Sequence, residues 1–252
     1  MITDPDFYLV AVPAVFLYGV AKGGFAGGLG VAAVPLMALV VSPVQAAAIL
    51  LPVLCVMDLV ALWKYRGRWV WSELTLLIPA SLLGLGVGTL VFSQMSPAVI
   101  RLMLGTIAIA FTMHHWFQRR LSGNFPQNNF GPIAAILAGA TSGFTSFVAH
   151  AGGPPLGMYL LRRGLNKTAF VATTAVFFTA ANYLKLIPYA WLGQLDAGNL
   201  KTSFVLMFLA PPSILAGYWL HTRVSEVFFF RVVYASLLVV GVKLVWDGLY
   251  GL

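Results

Sequence analysis

Lys22-Gly-Gly-Phe-Ala-Gly-Gly-Leu-Gly30 places five glycines among nine residues inside a strongly apolar segment. Each glycine in a helix interior costs about 1 kcal/mol relative to alanine, so a regular helix is disfavoured there. In the hydrocarbon core of a membrane, unwound backbone persists only where protein or a water-filled cavity satisfies its peptide groups. The stretch therefore predicts a helix break whose peptide groups face a cavity.

The composition is that of a polytopic membrane protein. Of the 252 residues, 60% are hydrophobic and 9% are charged, whereas roughly a quarter are charged in a soluble domain. The formal net charge is +8, but the basic residues are scattered between apolar spans, as the positive-inside rule predicts. We therefore expect the lipid bilayer, and not nucleic acid, as the environment of the chain.

The sequence offers no catalytic or metal-binding pattern. The single Cys55 lies in an apolar segment, and the four histidines lack metal-ligand spacing. We expect no enzyme activity, no cofactor and no metal. Asp4 and Asp6 open the chain without a basic region or a small-residue cleavage site, so we also expect no signal peptide.

A second glycine-rich stretch runs from Gly139 to Pro155. It contains Gly143-Phe144-Thr145-Ser146 and then His150-Ala151-Gly152-Gly153-Pro154-Pro155. Gly24-Phe25 and Pro35 in the first half have counterparts at matching spacing in Gly143-Phe144 and Pro154, which indicates an internal duplication. The predicted organisation is a first repeat over residues 1–121, a polar linker over 122–130 and a second repeat over 131–252.

The predicted fold is an all-α integral membrane protein. It has eight hydrophobic segments: Phe7–Val41, Pro43–Tyr65, Trp71–Phe92, Pro97–Phe117, Gly131–Leu161, Lys167–Leu192, Leu200–Leu220 and Glu226–Tyr250. The first segment exceeds the ~20 residues that cross a membrane once, so we interpret it as two short helices around the glycine break. The fifth segment is its broken counterpart.

Loop charges predict that the two repeats are inverted. The loop after the second segment is basic, with Lys64, Arg66 and Arg68, whereas the corresponding loop of the second half carries Asp196 and no cation. Opposite charge at equivalent loops is expected of inverted repeats. Each repeat is then a broken, re-entrant-type helical hairpin followed by three transmembrane helices, and the basic loops face the cytoplasm.

The breaks also predict an anion site. A helix that begins inside the bilayer has unpaired amide groups and a positive partial charge at its start. Such starts are expected near Gly27–Gly30 and near Gly152–Pro154. The candidate substrate-binding residues are Lys22, Gly24, Gly27, Gly28, Gly30, Thr145, Ser146, His150, Gly152 and Gly153. Close helix packing by small residues is the alternative explanation of both stretches.

Three polar residues within spans are candidates for coupling or gating. Asp58 is costly at membrane depth, so it predicts either a contact between helices or a proton-coupling role. Its counterpart in the duplication is near Asn182, and Lys185 lies one turn further. We expect Lys185 to extend to the outer interface, with a substrate contact as the alternative. Lys22 either binds substrate or a charge partner, or anchors the helix at the interface.

The paired glycine-rich segments and the duplicated chain resemble the TauE/SafE sulfite exporter family. The resemblance rests on Lys22-Gly-Gly-Phe-Ala-Gly-Gly-Leu-Gly30 with Pro35, and on Gly143-Phe144 through Gly152-Gly153-Pro154-Pro155, and it covers nearly the whole chain. It implies transport of sulfite, small organosulfonates or related sulfur anions across the bacterial inner membrane, generally outward.

The sequence thus predicts a secondary transporter of a small sulfur oxyanion or organosulfonate, with sulfite export as the leading hypothesis. Three alternatives remain at this point. The chain could be an anion-selective channel, a proton- or sodium-coupled anion importer, or a membrane enzyme or assembly subunit that uses His114, His115 and His150. Assembly into a homo-oligomer is also left open.

Overall fold

The computed structural model of the chain describes residues 1–24, 30–92, 94–120, 131–220 and 226–250. Within these residues every regular element is helical. The α-helices, numbered in chain order, are α1 (Pro5–Gly24), α2 (Ala33–Met37), α3 (Pro43–Tyr65), α4 (Trp71–Phe92), α5 (Pro97–Arg120), α6 (Pro132–Ala149), α7 (Gly153–Leu161), α8 (Lys167–Trp191), α9 (Ala197–Met207), α10 (Ala210–Leu220) and α11 (Glu226–Tyr250). A short 3₁₀ turn, Gly30–Ala32, precedes α2.

Five of these helices are long and apolar enough to cross a membrane: α1, α3, α4, α6 and α8. The pair α9 and α10 would be a sixth crossing, bent by 44°. The sequence predicted one continuous span there, and Pro211 with Pro212 explains the bend, because each lacks the amide hydrogen that a continuous helix needs. The all-helical, multi-pass prediction is confirmed.

Polar caps fix where several helices begin. The side chain of Ser42 accepts a hydrogen bond from the Gln45 amide at the start of α3. Asn166 accepts one from Ala169 in α8, and Asp196 accepts two in α9. Each cap satisfies amides that have no partner within the helix, and each contributes about 1 kcal/mol.

The first broken segment returns to the end of the bundle from which it starts. The Ile2 amide and the Gln45 side chain both hydrogen-bond to the first two turns of α9, so α1 and α3 begin at the same end. At the other end, the Tyr65 hydroxyl donates to the Gly23 carbonyl oxygen at 2.8 Å. Helices α1 and α3 are therefore parallel, and the segment between them brings the chain back.

The second broken segment opens toward the opposite end. Its tip is at His150, whose ring contacts the Ala47 carbonyl oxygen in the first two turns of α3. Its base is at Arg163, whose Nε donates to Glu73 in the first turn of α4 at 2.8 Å. Because α4 follows the far end of α3, the α6–α7 hairpin and the α1–α2 hairpin open at opposite ends.

Small residues let the hairpins pack closely against the other helices. A Cβ atom added to Gly84 of α4 would overlap the backbone of α6, and one added to Gly143 of α6 would overlap Ser81 of α4. The same arrangement joins α1 to α10, where Gly217 packs against the backbone of Val20. Backbones in these two pairs approach more closely than larger side chains would allow. Cys55 is buried in α3.

The lengths of the first hairpin differ from the sequence prediction. Helix α1 has 20 residues, about 30 Å at 1.5 Å per residue, and could span the membrane alone. The returning arm is short, with α2 covering five residues. The prediction of two short helices is therefore wrong for the first arm. The predicted break lies between Gly24 and Gly30, so Gly27 and Gly28 fall outside the described residues, as does the predicted linker 122–130.

Candidate functional site

Polar side chains from α1, α3, α8 and the second break form one connected cluster inside the bundle. We call it the buried charge network, and it consists of Tyr18, Lys22, Asp58, His150, Asn182 and Lys185. No member is more than 7% exposed. Ionisable groups within a membrane are rare, pair with one another or with backbone carbonyl groups, and usually lie on a substrate or ion pathway. This cluster is therefore the leading candidate for a functional site.

Lys22 and Asp58 form the acidic side of the network. Lys22 Nζ makes an ion pair with Asp58 Oδ1, and their side chains are 5% and 0% exposed. The other carboxylate oxygen, Asp58 Oδ2, accepts a hydrogen bond of 2.7 Å from Asn182 Nδ2. Asp58 is the one acceptor of Lys22 Nζ among the described residues, whereas an ammonium group has three donors. The Lys22 ammonium therefore retains donor capacity.

Lys185 has a different set of partners, and all of them are acceptors. Its Nζ lies 2.9 Å from the Ser146 carbonyl oxygen, 3.1 Å from Ser146 Oγ and 2.7 Å from His150 Nδ1. Three acceptors match the three donors of an ammonium group. Lys185 is wholly buried, so the expectation that it extends to the interface is wrong. It points inward, to the second break.

The contacts of His150 determine its tautomer. Nε2 lies 3.0 Å from the carbonyl oxygen of Ala47, which can only accept, so Nε2 carries the hydrogen. Nδ1 is then free to accept from the Lys185 ammonium. The backbone of His150 has φ 50° and lies in the left-handed region, and it ends α6 by donating its amide to the Ser146 carbonyl oxygen. A non-glycine residue there costs about 1 kcal/mol or more, and such strain concentrates at functional sites.

Tyr18 connects the two breaks. Its hydroxyl donates to the His150 carbonyl oxygen at 3.0 Å, and Lys22 lies one turn further along the same helix. The ring of Tyr18 packs against Gly30, where an added Cβ atom would come within 2.6 Å of the ring. Gly30, where the first break ends, and His150, where the chain turns at the second break, therefore lie on either side of Tyr18. This arrangement is expected if both breaks contribute to one anion site.

Helix α7 begins at the second break with few free amides. Pro154 and Pro155 have no amide hydrogen, so only Gly152 and Gly153 can offer one, and neither donates a hydrogen bond within the described residues. Ser142 Oγ is also buried without a hydrogen-bond partner in the described part of the chain. The Ser142 carbonyl oxygen lies 2.5 Å from the Cβ position of Gly152. Ser142 and the amide of Gly152 therefore lie together at the turn between α6 and α7, which we call the corner.

The remaining predicted residues differ in their relation to this cluster. Ser146 joins it through both oxygens that accept from Lys185. The Thr145 hydroxyl instead donates to the Thr141 carbonyl oxygen of its own helix at 2.8 Å. Gly24 is buried at the end of α1. The side chains of His114 and His115 lie outside the described residues, and in the described part no three His, Cys, Asp or Glu side chains are grouped as metal ligands.

Sequence reasoning missed the tyrosines and the backbone acceptors of the site. Tyr189 donates to the Phe147 carbonyl oxygen at 2.8 Å and so satisfies the end of α6. Its ring also lies over His150, with centroids 6.3 Å apart. Helical spacing could have revealed both tyrosines, because each lies four residues from a buried lysine. The Ala47 carbonyl oxygen carries no sequence signal of this kind.

A comparison with protein families decides the class of the protein. The model of the family described as Sulfite exporter TauE/SafE matches residues 11–244. The chain belongs to the TauE/SafE family. Neither a comparison with curated proteins nor one with solved structures gave a match. This TauE/SafE protein is a multi-pass membrane transporter of sulfur anions, and members of the family are transporters and not enzymes.

A second polar contact of this TauE/SafE protein lies at the base of the α6–α7 hairpin. Glu73 accepts hydrogen bonds from the Tyr159 hydroxyl and from Arg163 Nε, each at 2.8 Å. The hydrogen bond to Glu73 raises the pKa of the Arg163 guanidinium, because the carboxylate stabilises the charged form. The contact ties α7 to the first turn of α4.

We predict that Glu73→Gln lowers the melting temperature of the purified protein by about 2–4 °C, because it weakens a hydrogen-bonded charge pair worth about 1 kcal/mol. The matched control is Asp247→Asn. It disrupts the Lys243–Asp247 pair, which has the same 2.7–2.8 Å geometry but lies on the exposed face of α11. The control is expected to change stability by less than about 0.5 kcal/mol. Equal shifts in the two variants would contradict the assignment.

Proposed function

We propose that the protein exports a small sulfur oxyanion, with sulfite as the leading substrate, across the bacterial inner membrane. The anion binds between the two helix breaks, beside Lys22 and the amides of Gly152 and Gly153. Lys185 supplies positive electrostatic potential, and its hydrogen bonds to Ser146 and His150 fix the backbone of the second break. Asp58 and Asn182 hold Lys22 in place.

The observation that carries this proposal is an unbalanced buried cation. Lys22 is paired with Asp58, whereas Lys185 contacts only uncharged acceptors. Among the described residues, the network therefore has more positive than negative charge. A buried charge without a counter-ion is costly, and an anion that enters the site removes that cost. The network is suited to a negatively charged substrate.

The proposed architecture is a pair of inverted repeats around this site. Under the duplication, α1, α3, α4 and α5 correspond to α6, α8, α9–α10 and α11. The contact between α4 and α6 is then equivalent to the contact between α10 and α1. The two other contacts join equivalent helices of the two repeats, since α3 packs on α8 and α5 packs on α11. The opposite openings of the two hairpins support the inversion, which is the usual arrangement around a midplane site.

The basic loops support an orientation with the α6–α7 opening toward the cytoplasm. Lys64 lies in the last turn of α3, and Arg66 and Arg68 follow that helix. Arg162 and Arg163 follow α7, at the base of the hairpin. An inside-negative potential drives each negative charge outward by about 2.3 kcal/mol per 100 mV. Export of a sulfur oxyanion therefore needs no coupling ion.

The direct test is flux of labelled sulfite from proteoliposomes that contain the purified protein. We expect saturable efflux that accelerates when the potential repels the anion from the lumen. The absence of sulfite flux at any potential would contradict the proposed function. Currents of single-channel size would contradict a carrier and favour a channel.

The role of the second break is tested by Gly152→Ala. An added Cβ at Gly152 would lie 2.5 Å from the Ser142 carbonyl oxygen and 2.8 Å from the Phe178 ring, so the corner must shift. We expect sulfite flux to fall by about tenfold, the effect of about 1.4 kcal/mol. Gly157→Ala on α7 is the matched control, since its nearest contact would be 3.9 Å away. Equal flux in both variants would show that the corner does not bind substrate.

A further inference from the structure

The charges of the buried network can be counted. Lys22 and Asp58 cancel each other as an ion pair. The His150 ring has one nitrogen on a carbonyl oxygen and the other on Lys185 Nζ. In the protonated form of this pair, the imidazole and the lysine together hold one surplus proton, whichever of the two carries it. No other described charged side chain is buried except Glu73, which pairs with Arg163 at the base of the α6–α7 hairpin. With the Lys185–His150 pair in this protonated form, the network carries one net positive charge.

The two lysines have different parts in binding. All three donors of Lys185 have acceptors, so this ammonium contributes charge and need not touch the substrate. The Lys22 side chain is 5% exposed, and Asp58 is the one acceptor of its ammonium group among the described residues, which leaves two of three donors without an acceptor there. Both oxygens of Asp58 face donors, one from Lys22 and one from Asn182. Lys22 is therefore the group with a donor to offer an anion.

We propose that the buried charge network selects its anion by valence, and that the site takes a singly charged species, a sulfonate or hydrogensulfite, in preference to a dianion such as sulfate. This inference rests on the proposed function and specifies its substrate class. A monoanion makes the network neutral, whereas a dianion leaves one uncompensated negative charge in a region of low dielectric constant, where that charge is costly.

The test measures binding of methanesulfonate and of sulfate to the purified protein in detergent by titration calorimetry. Both anions have a fixed charge at neutral pH, so the comparison does not depend on proton uptake by the ligand. We expect methanesulfonate to bind about ten- to hundredfold more tightly, because the second charge of sulfate would lose its hydration without gaining a counter-charge in the network. Equal binding, or tighter binding of sulfate, would overturn the valence rule.

Charge-changing variants separate valence from shape. Asp58→Asn raises the network charge to two, so the preference should shift toward sulfate by about tenfold or more. Lys22→Gln lowers the charge to zero, and both anions should bind weakly. The double variant Lys22→Gln/Asp58→Asn removes both members of the ion pair and returns the network charge to one, carried by the Lys185–His150 pair. It should again prefer methanesulfonate, although both anions should bind more weakly than to the parent protein because the Lys22 ammonium is gone.

The double variant also guards against misfolding, since it leaves neither member of the Lys22–Asp58 ion pair buried without the other. If it folds and does not prefer methanesulfonate, or if Asp58→Asn leaves the ratio of affinities unchanged, the valence rule fails. The proposed function would survive that result, because it depends on sulfite flux from proteoliposomes. Conversely, a protein that binds methanesulfonate with the expected ratio but moves no sulfite would contradict the function and not the valence rule.

Discussion

Lys185→Met is expected to reduce sulfite flux by at least about thirtyfold at subsaturating substrate. The substitution removes the one cation of the network that has no anionic partner. A unit charge a few ångströms from a bound anion is worth about 2–4 kcal/mol at an effective dielectric constant of about 20, which corresponds to a factor of about thirty to a thousand. Efflux from proteoliposomes measures the loss.

The variant is expected to remain folded, so the loss of flux will not reflect unfolding. Removal of a desolvated charge offsets the loss of its hydrogen bonds to Ser146 and His150. Lys243→Met is the matched control, because it makes the same change at a side chain that is 55% exposed on α11. Normal flux in the Lys185 variant, with a correct melting transition, would exclude a role for the network in transport.

Gly84→Val is expected to lower the melting temperature by about 5 °C or more. The added side chain would meet the backbone of α6, where the Cβ position lies 2.6 Å from the Phe144 amide nitrogen. Overpacking of this kind costs about 1–3 kcal/mol, and each kilocalorie corresponds to about 2–4 °C in a chain of this size. Thermal unfolding in detergent measures the effect.

Gly86→Val on the same helix is the control for helix propensity. Gly86 has no atom within 4 Å of its Cβ position, so the same substitution is expected to leave the melting temperature nearly unchanged. If both variants lose equal stability, the close approach of α4 and α6 is not what Gly84 provides. The pair also tests which face of α4 is turned toward the hairpin.

The sequence predicted the features that depend on local chemistry. The break between Gly24 and Gly30 and the corner at His150–Gly152 follow from helix propensity, and the structure has helix ends at both. Burial of Asp58 against another helix follows from its cost in a membrane. Its hydrogen-bond partner there is Asn182, which the duplication had indicated only as lying near its counterpart position. The family followed from the same glycine patterns.

The features that depend on tertiary contacts were not predictable from spacing. Lys185 lies within reach of the interface by sequence, and its inward direction depends on where α6 ends beside α8. The full length of α1 was also missed, because Gly23 and Gly24 complete the helix, and the Tyr65 hydroxyl donates a hydrogen bond to the Gly23 carbonyl oxygen in its last turn. Neighbouring helices override propensity at both places.

The left-handed backbone of His150 has a consequence for sequence variation at this position. Glycine adopts that conformation without strain but has no side chain, whereas asparagine tolerates it and offers only a shorter amide. No other residue type combines the turn with two ring nitrogens that reach Ala47 and Lys185 at once. Among natural variants, exchange at residue 150 should therefore be rare, and it should be accompanied by change at residue 185.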